Sequence, residues 1–249
     1  MSRKLYPMTQ PVLEAKGVTQ VLGSGAMQVR ALKDVDFTLR RGELALLMGP
    51  SGSGKTTLLS VLGCMLTPTA GTVSVCGKST AGADAEELAR LRRDHVGFVF
   101  QSYHLFTTLT ALENVQLALD VRGRRGNDAQ SGARHALVRV GLADKFAATP
   151  RELSGGEQQR VAIARAIVSD PPAILADEPT AALDGENGHS VMKILSTLAK
   201  ESKRGVLVVG HDPRLMPFAD RIISIADGRL VDERAGGTGV PRLRAAGGS

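Results

Sequence analysis

Apolar positions along this chain fall into short runs, each closed by glycine, proline or a cluster of charge. The runs Val12–Leu22, Val35–Leu39, Glu43–Gly49, Gly71–Cys76, Val96–Gln101, Ile174–Asp177, Val206–Val209, Arg221–Ala226 and Arg229–Val231 are predicted strands. Helical spacing runs over Lys55–Leu66 (stopped before Pro68), Ala85–Arg93, Ala111–Val121, Asp128–Val140, Gly155–Ser169 (closed by Asp170-Pro171-Pro172) and Glu186–Ser202. Gly23-Ser24-Gly25 reads as a turn, and Asp227-Gly228 as a tight hairpin turn. Strands alternating with helices imply a mostly parallel sheet with short crossovers. The stretch from Ser102 to Arg165 carries no strand pattern and reads as a helical insert.

One junction carries chemistry. The apolar run Leu44-Ala45-Leu46-Leu47-Met48 leads into Gly49-Pro50-Ser51-Gly52-Ser53-Gly54-Lys55-Thr56-Thr57, and then into Leu58-Leu59-Ser60-Val61-Leu62. A buried strand, a glycine-rich turn and a helix are the context that the phosphate-binding pattern G-x-x-x-x-G-K-[ST] requires. The glycines let successive backbone N–H groups converge on triphosphate oxygens. The helix start adds unpaired N–H groups and its positive dipole end. Lys55 supplies a mobile charge between the β and γ groups, Thr56 an oxygen for Mg²⁺, and Thr57 a contact near the α-phosphate. A plain glycine-rich surface turn is the competing reading, and the flanking strand and helix weigh against it.

Bulk properties bound the rest. A chain of 249 residues with 43% hydrophobic and 22% charged residues suits one α/β domain, with or without a subdomain, and can bury a core. Aromatics are scarce at 3%, with no Trp, which disfavours a single-strand nucleic-acid binder that relies on base stacking. The net charge of +6 lies partly in the termini (Arg3, Lys4, Arg234, Arg242, Arg244) and in the Arg122, Arg124, Arg125 turn. It fits nucleotide, nucleic acid or an anionic membrane surface, and selects none of them. Cys64 and Cys76 form no disulfide framework or metal cluster, so buried reduced thiols and a cytosolic chain are expected. No apolar run is long enough to span a bilayer, the N-terminus lacks a signal-like apolar stretch, and the Gly-rich end reads as a disordered tail.

Two further motifs stand out. Ile174-Leu175-Ala176-Asp177-Glu178-Pro179 is an apolar strand ending in two carboxylates, and in a parallel sheet the C-terminal strand ends form the ligand crevice. There Asp177 would hold Mg²⁺ through water, and Glu178 would polarise the water attacking a γ-phosphate. Leu153-Ser154-Gly155-Gly156-Glu157 has a capping-box explanation, with Ser154 and Glu157 capping a helix reciprocally. Two glycines at a helix start also bare N–H groups to an anion, so Ser154, Gly155 and Gly156 are a second phosphate-site candidate. Both readings hold together.

The run LSGGEQQRVAIARAIVSDPPAILADEPTAALD (Leu153–Asp184) resembles the signature, Walker B and D-loop block of ABC-type ATPases. Phe98–Val115 is similar to their Q-loop region, and Val209-Gly210-His211-Asp212 to their H-loop. The resemblance spans roughly Val12 to Val231 and is greatest to the lipoprotein-releasing, macrolide-export and cyanobacterial glycolipid-export group. It implies an α/β P-loop NTPase with a RecA-like parallel-sheet core, an N-terminal antiparallel β subdomain and a helical subdomain. One domain over residues 12–232 is expected, with its core in 12–101 and 166–232, its helical part in 102–165, and flexible tails at 1–11 and 233–249.

The same resemblance implies roles. Gly49, Pro50, Ser51, Gly52, Ser53, Gly54, Lys55, Thr56 and Thr57 would hold ATP. Thr56, Gln101 and Asp177 would ligate Mg²⁺, and Gln101 would sense a permease. Glu178 and His211 would be catalytic, with His211 at the γ-phosphate. Asp184 would couple two sites across a homodimer whose P-loop faces the partner's Ser154, Gly155 and Gly156. The implied protein is an ATPase peripheral to the cytoplasmic face of the inner membrane, partnered by a separate integral-membrane permease and by no nucleic acid. Its work would be export or mechanotransmission of the lipoprotein, lipid or drug type. A cell-division regulator that moves a membrane partner without transport is the alternative. A DNA-repair ATPase ranks lower, because no heptad array lies between Thr57 and Leu153.

Two positions depart from the pattern. Leu22 stands where the family usually places an aromatic against adenine, so stacking is lost. Gly210 stands where Thr usually precedes the histidine, and a small effect is expected there.

Overall fold

The structure, a computed structural model, describes residues 11–237. Among them the elements run β1 (Pro11–Leu22), β2 (Val29–Arg40), β3 (Leu44–Met48), α1 (Lys55–Leu62), β4 (Ala70–Val75), β5 (Lys78–Ser79), α2 (Ala85–His95), β6 (Val96–Val99), α3 (Ala111–Asp120), α4 (Gly126–Arg139), α5 (Gly155–Ile167), β7 (Ala173–Asp177), α6 (Gly185–Lys200), β8 (Gly205–Val209), β9 (Arg221–Ala226) and β10 (Arg229–Ala235). Short 3₁₀ turns stand at Gly25–Met27, Pro150–Glu152 and Pro213–Phe218.

Uninterrupted apolar strands can be buried on both faces only inside a covered parallel sheet. β3, β7 and β8 are such strands, and they are central in the order β10-β9-β3-β8-β7-β6. All the pairings within β9-β3-β8-β7-β6 are parallel, and β10 closes the edge antiparallel through the Asp227-Gly228 turn. Successive residues serve opposite cores. Leu44, Leu46, Ile174, Ala176, Val206 and Val208 face the helices α3 to α6. Ala45, Leu47, Leu175, Leu207 and Val209 face α1 and a second sheet, ordered β2-β1-β4-β5 and antiparallel throughout. This is the mixed architecture expected of an α/β nucleotide-binding cassette.

Several boundaries move. α1 stops at Leu62 rather than Leu66, because Cys64 takes the left-handed conformation (φ 58°) and the Met65 N–H returns to the Ser60 carbonyl at 2.8 Å. That is a Schellman ending with cysteine where glycine is usual. β2 begins six residues earlier than the Val35 start expected, its added residues paired with β1 up to Leu22↔Val29. At the far end β10 runs to Ala235, paired with Arg221, so residues 233–235 are strand and not tail. The remaining tail residues, 1–10 and 238–249, lie outside the described part.

Between Ser102 and Arg165 the described elements are helices and turns only, and α5 carries on past that limit to Ile167. The loop before α3 is set by Asn114, fully buried. The Asn114 amide donates to the carbonyls of Phe106, Leu109 and Thr110 and accepts from the Phe106 N–H. Cys64 and Cys76 are free and buried, and burial pushes the Cys64 thiol up to about 11.

Candidate functional site

The glycine-rich turn links β3 to α1 at the carboxyl end of the parallel strands. Gly54, the residue before α1, has φ 105°, and a β carbon there would stand 2.6 Å from the Ala31 carbonyl oxygen. Only glycine meets both conditions. The turn is braced from β9–β10 as well, since the Gly228 N–H donates to the Ser53 carbonyl at 3.0 Å. Lys55 is buried, and its ammonium donates to the carbonyls of Gly49 (2.9 Å) and Pro50 (2.8 Å). Those bonds hold the charge inside the loop, poised for a stronger acceptor such as phosphate oxygen.

β7 delivers the carboxylates beside it. The Thr56 hydroxyl lies 3.4 Å from Asp177 Oδ1. Burial raises the Asp177 pKa; the Thr56 bond counters this, the neighbouring Glu178 charge adds to it, and Lys55 opposes it. Glu178 sits in the left-handed region (φ 45°), held there by its N–H bond to the Val209 carbonyl at 3.0 Å. This strained backbone falls on the residue directly after the end of β7. The His211 Nδ1 stands 3.3 Å from the Glu178 carboxylate, two residues beyond the end of β8. The residue before it, Gly210, leaves room for Leu215, whose Cδ1 would be 2.6 Å from a β carbon at 210. The missing threonine at that place is thus matched by a leucine filling the space.

An open cleft of about 800 Å³ gathers most of this set: Gly49, Pro50, Ser51, Gly52, Gly54, Lys55, Thr56, Thr57, Glu178 and His211 line it. Leu22 and Val29, from the loop end of the β1–β2 hairpin, line it too. Ser53 is buried beneath the turn, and Asp177 lies behind Thr56. Gln101, Ser154, Gly155, Gly156 and Asp184 do not line this cleft. Gln101 is exposed after β6, on the far edge of the sheet.

The second group forms its own cluster. Ser154 caps α5, accepting from the Glu157 N–H at 3.3 Å while its own N–H donates to Glu157 Oε2 at 2.8 Å. The backbone bond from Ser154 holds the Glu157 carboxyl below its usual range. Gly156 is buried with Asn187 against it: a β carbon at 156 would be 2.3 Å from Asn187 Oδ1. Asn187 in turn binds Asp184, the cap of α6, through its N–H (2.9 Å) and its side-chain amide (2.7 Å). Gly156 and Asp184 are therefore joined through Asn187, a residue that sequence reasoning passed over. The D-x-x-N spacing at a helix start was its only signal.

Two more residues were missed. Tyr103 and His104 both have positive φ (58° and 50°), and Arg165 donates to both their carbonyls, at 2.7 and 2.5 Å. The turn after Gln101 is thereby strapped to α5.

The oxygen donors at Thr56 and Asp177 suit a hard divalent cation that takes few protein ligands and shares substrate phosphates. Among the described residues no cluster of three or more His, Cys, Asp or Glu offers a cage for a softer metal. The arrangement can hold a polyphosphate on backbone N–H groups and Lys55, with a carboxylate and an imidazole beside its terminal group.

A family described as ABC transporter matches residues 32–181. The macrolide export ATP-binding/permease protein MacB 1/2 of Paracoccus denitrificans is 46% identical over 231 residues, 93% of this chain and 34% of that one. The MacB protein of Shewanella sp. is 43% identical over 228 residues, 91% and 35% of the two chains. The chain thus spans about a third of the length of these curated relatives. Among solved structures, a dimeric post-hydrolysis state of the ATP-binding cassette MJ0796 bound to ADP and Pi is similar at TM-score 0.83 and 42% identity, covering 92% of this chain and 100% of that one.

Proposed function

The chain belongs to the ABC transporter family, and from that premise we propose that it hydrolyses ATP as one half of a dimeric motor driving a membrane permease. The observation that carries the reading is the split of the candidate residues. The phosphate turn, Glu178 and His211 share one cleft, while the amide-lined end of α5 belongs to a separate cluster off that cleft. A second copy that brought its Ser154, Gly155 and Gly156 to the open cleft would complete a cage around the terminal phosphate.

In this reading Lys55 leaves the carbonyls of Gly49 and Pro50 for the β and γ oxygens. Gly49 to Thr57 cradle the phosphates with backbone N–H groups. Thr56 and Asp177, with Gln101 brought in from β6, would hold Mg²⁺; that ion, when bound, neutralises charge on the phosphate oxygens. Glu178 accepts a proton from the attacking water, and His211 holds the Glu178 carboxylate in line and contacts the γ-phosphate. Asp184, through Asn187 and Gly156, reports the state of one site to the other. Nucleotide acts as removable glue between helix ends, and hydrolysis lets the two copies part. The Gln101 turn, strapped to α5 by Arg165, passes that motion to the permease.

Among the described residues no helix is long and apolar enough to cross a membrane. The proposed station is peripheral, on the cytoplasmic face of the inner membrane. The names of the relatives, macrolide export proteins, favour a drug-like cargo within the proposed drug, lipid or lipoprotein type, and cargo choice rests with the permease. A DNA-repair role is disfavoured by the helices between α1 and α5, of which α4, with 14 residues, is the longest.

Mixing tests the shared site. Lys55→Ala and Ser154→Arg chains, each inactive alone, regain ATP hydrolysis together, because a mixed dimer keeps one intact site. No recovery from folded, dimeric mixtures overturns the composite site.

A further inference from the structure

Separate parts of the chain converge on the first turn of α5. From α6 comes Asn187, already set against Gly156. From the loop before α6 comes Leu183, whose Cδ2 would lie 3.6 Å from a β carbon at Gly155. From the turn after β6 comes Tyr103, whose hydroxyl oxygen would lie 3.1 Å from that same β carbon. A methyl group at 155 would crowd the phenol, and glycine lets it approach. The tyrosine is held there through its backbone. It takes a left-handed conformation (φ 58°), its carbonyl accepts from Arg165 of α5 at 2.7 Å, and the next residue, His104, sets its ring against Phe100 with centroids 4.8 Å apart.

A phenylalanine would fill the same space, so the hydroxyl needs its own account. Among the described residues none shares a hydrogen bond with it. A phenol is a donor at neutral pH, and an O–H donated to an anion makes a short, strong bond. This oxygen stands beside Gly155, half-buried, at the rim of the amide-lined helix end.

The geometry points to the Tyr103 hydroxyl as a further donor to the terminal phosphate of the ATP carried by a second copy of the chain, beside Ser154, Gly155 and Gly156. This rests on the composite-site reading above and adds to it a side chain from outside α5. The turn after β6 then serves both nucleotides of the dimer: Gln101 its own chain's, Tyr103 the partner's.

Tyr103→Phe removes that one oxygen. In the Glu178→Gln chain, expected to hold the ATP-bound dimer, sedimentation of the full chain with Mg²⁺ and ATP reads the dimer dissociation constant. Adding Tyr103→Phe is expected to raise it at least about tenfold, the worth of a hydrogen bond to a charged group. ADP affinity of the single chain and the urea midpoint stay at the parent values, because the lost bond reaches only the partner's terminal phosphate. Mixing assigns the side. Tyr103→Phe alone turns ATP over slowly, and excess Lys55→Ala chain, which brings an intact Tyr103, returns its sites to the parent rate. A dimer constant unchanged within about twofold, or slowing that the Lys55→Ala chain does not relieve, overturns the role of Tyr103. In either case the Lys55→Ala and Ser154→Arg mixture still reports on the composite site by itself. If the Glu178→Gln chain forms no dimer with ATP, the composite site falls and this inference falls with it.

Discussion

The His211 imidazole stands 3.3 Å from the Glu178 carboxylate, although the two residues come from different strands, 33 positions apart. Glu178 occupies a left-handed backbone conformation that turns it off the end of β7. In the assignment proposed above, Glu178→Gln keeps the shape and removes the proton acceptor. ATP hydrolysis is expected to fall by about 10²–10⁴-fold, with ATP binding kept and the ATP-bound dimer persisting on size-exclusion chromatography. Undiminished turnover in that variant would rule Glu178 out as the base. His211→Ala is expected to lower turnover with little change in ATP affinity.

The phosphate turn is predicted to be intolerant at Gly54 and forgiving at Gly52. Both have positive φ, but only at Gly54 would a β carbon strike backbone, the Ala31 carbonyl at 2.6 Å; nothing lies within 4 Å at Gly52. Gly52→Ala should cost about 1 kcal/mol of conformational strain, and Gly54→Ala more than about 2 kcal/mol. Urea midpoints of the two variants measure the difference, and equal values would refute the close approach.

Gly156 and Asn187 should be energetically coupled. Gly156→Ala pushes a methyl group toward Asn187 Oδ1, which disturbs the Asp184 cap that Asn187 serves. The expected cost is about 1–3 kcal/mol. Asn187→Ala removes the clashing amide, so the double variant is predicted to be less destabilised than the sum of the singles, by more than about 0.5 kcal/mol. Additive values in a double-mutant cycle would mean the two positions relax independently.

Acid sensitivity has a specific source at the α5 cap. The Glu157 carboxyl is held below its usual value, first by the backbone bond from Ser154. In the unfolded chain it protonates near 4.5, and in the fold only at lower pH. Its stabilising contribution is therefore complete above about 4.5 and is lost as pH falls through the lower folded value. Glu157→Gln should flatten the fall in stability below pH ~4.5 relative to the parent chain. A chemical-denaturation series from pH 7 to pH 3 reads this out, and an unchanged acid limb would contradict it.

Much of the fold was legible because its signals are local. Apolar runs without alternation announced strands buried on both faces, as β3, β7 and β8 are. The Ser154 cap of α5 was legible in this way and accepts the Glu157 N–H; Asp84, Thr110 and Asp184 accept the corresponding bonds at the starts of α2, α3 and α6. The end of α1 was not legible, since a cysteine fills the left-handed position where glycine would have signalled the stop. The early start of β2 was hidden too: its first two residues, Val29 and Arg30, are exposed and gain order by pairing with β1.

The site divides in the same way. The chain's own order of residues determined the glycine-rich turn, the paired carboxylates at a strand end and the capped glycine helix start. Each depends on neighbours within a few positions, where backbone conformation and hydrogen-bonding capacity are set. Only the tertiary structure decided which of these meet. It put His211 beside Glu178, set Leu22 and Val29 on the wall of the phosphate cleft, joined Gly156 to Asp184 through Asn187, and left the α5 end off that cleft. Strand order and crossover geometry make those approaches, and residues far apart along a chain carry no local mark of the partner that folding brings to them.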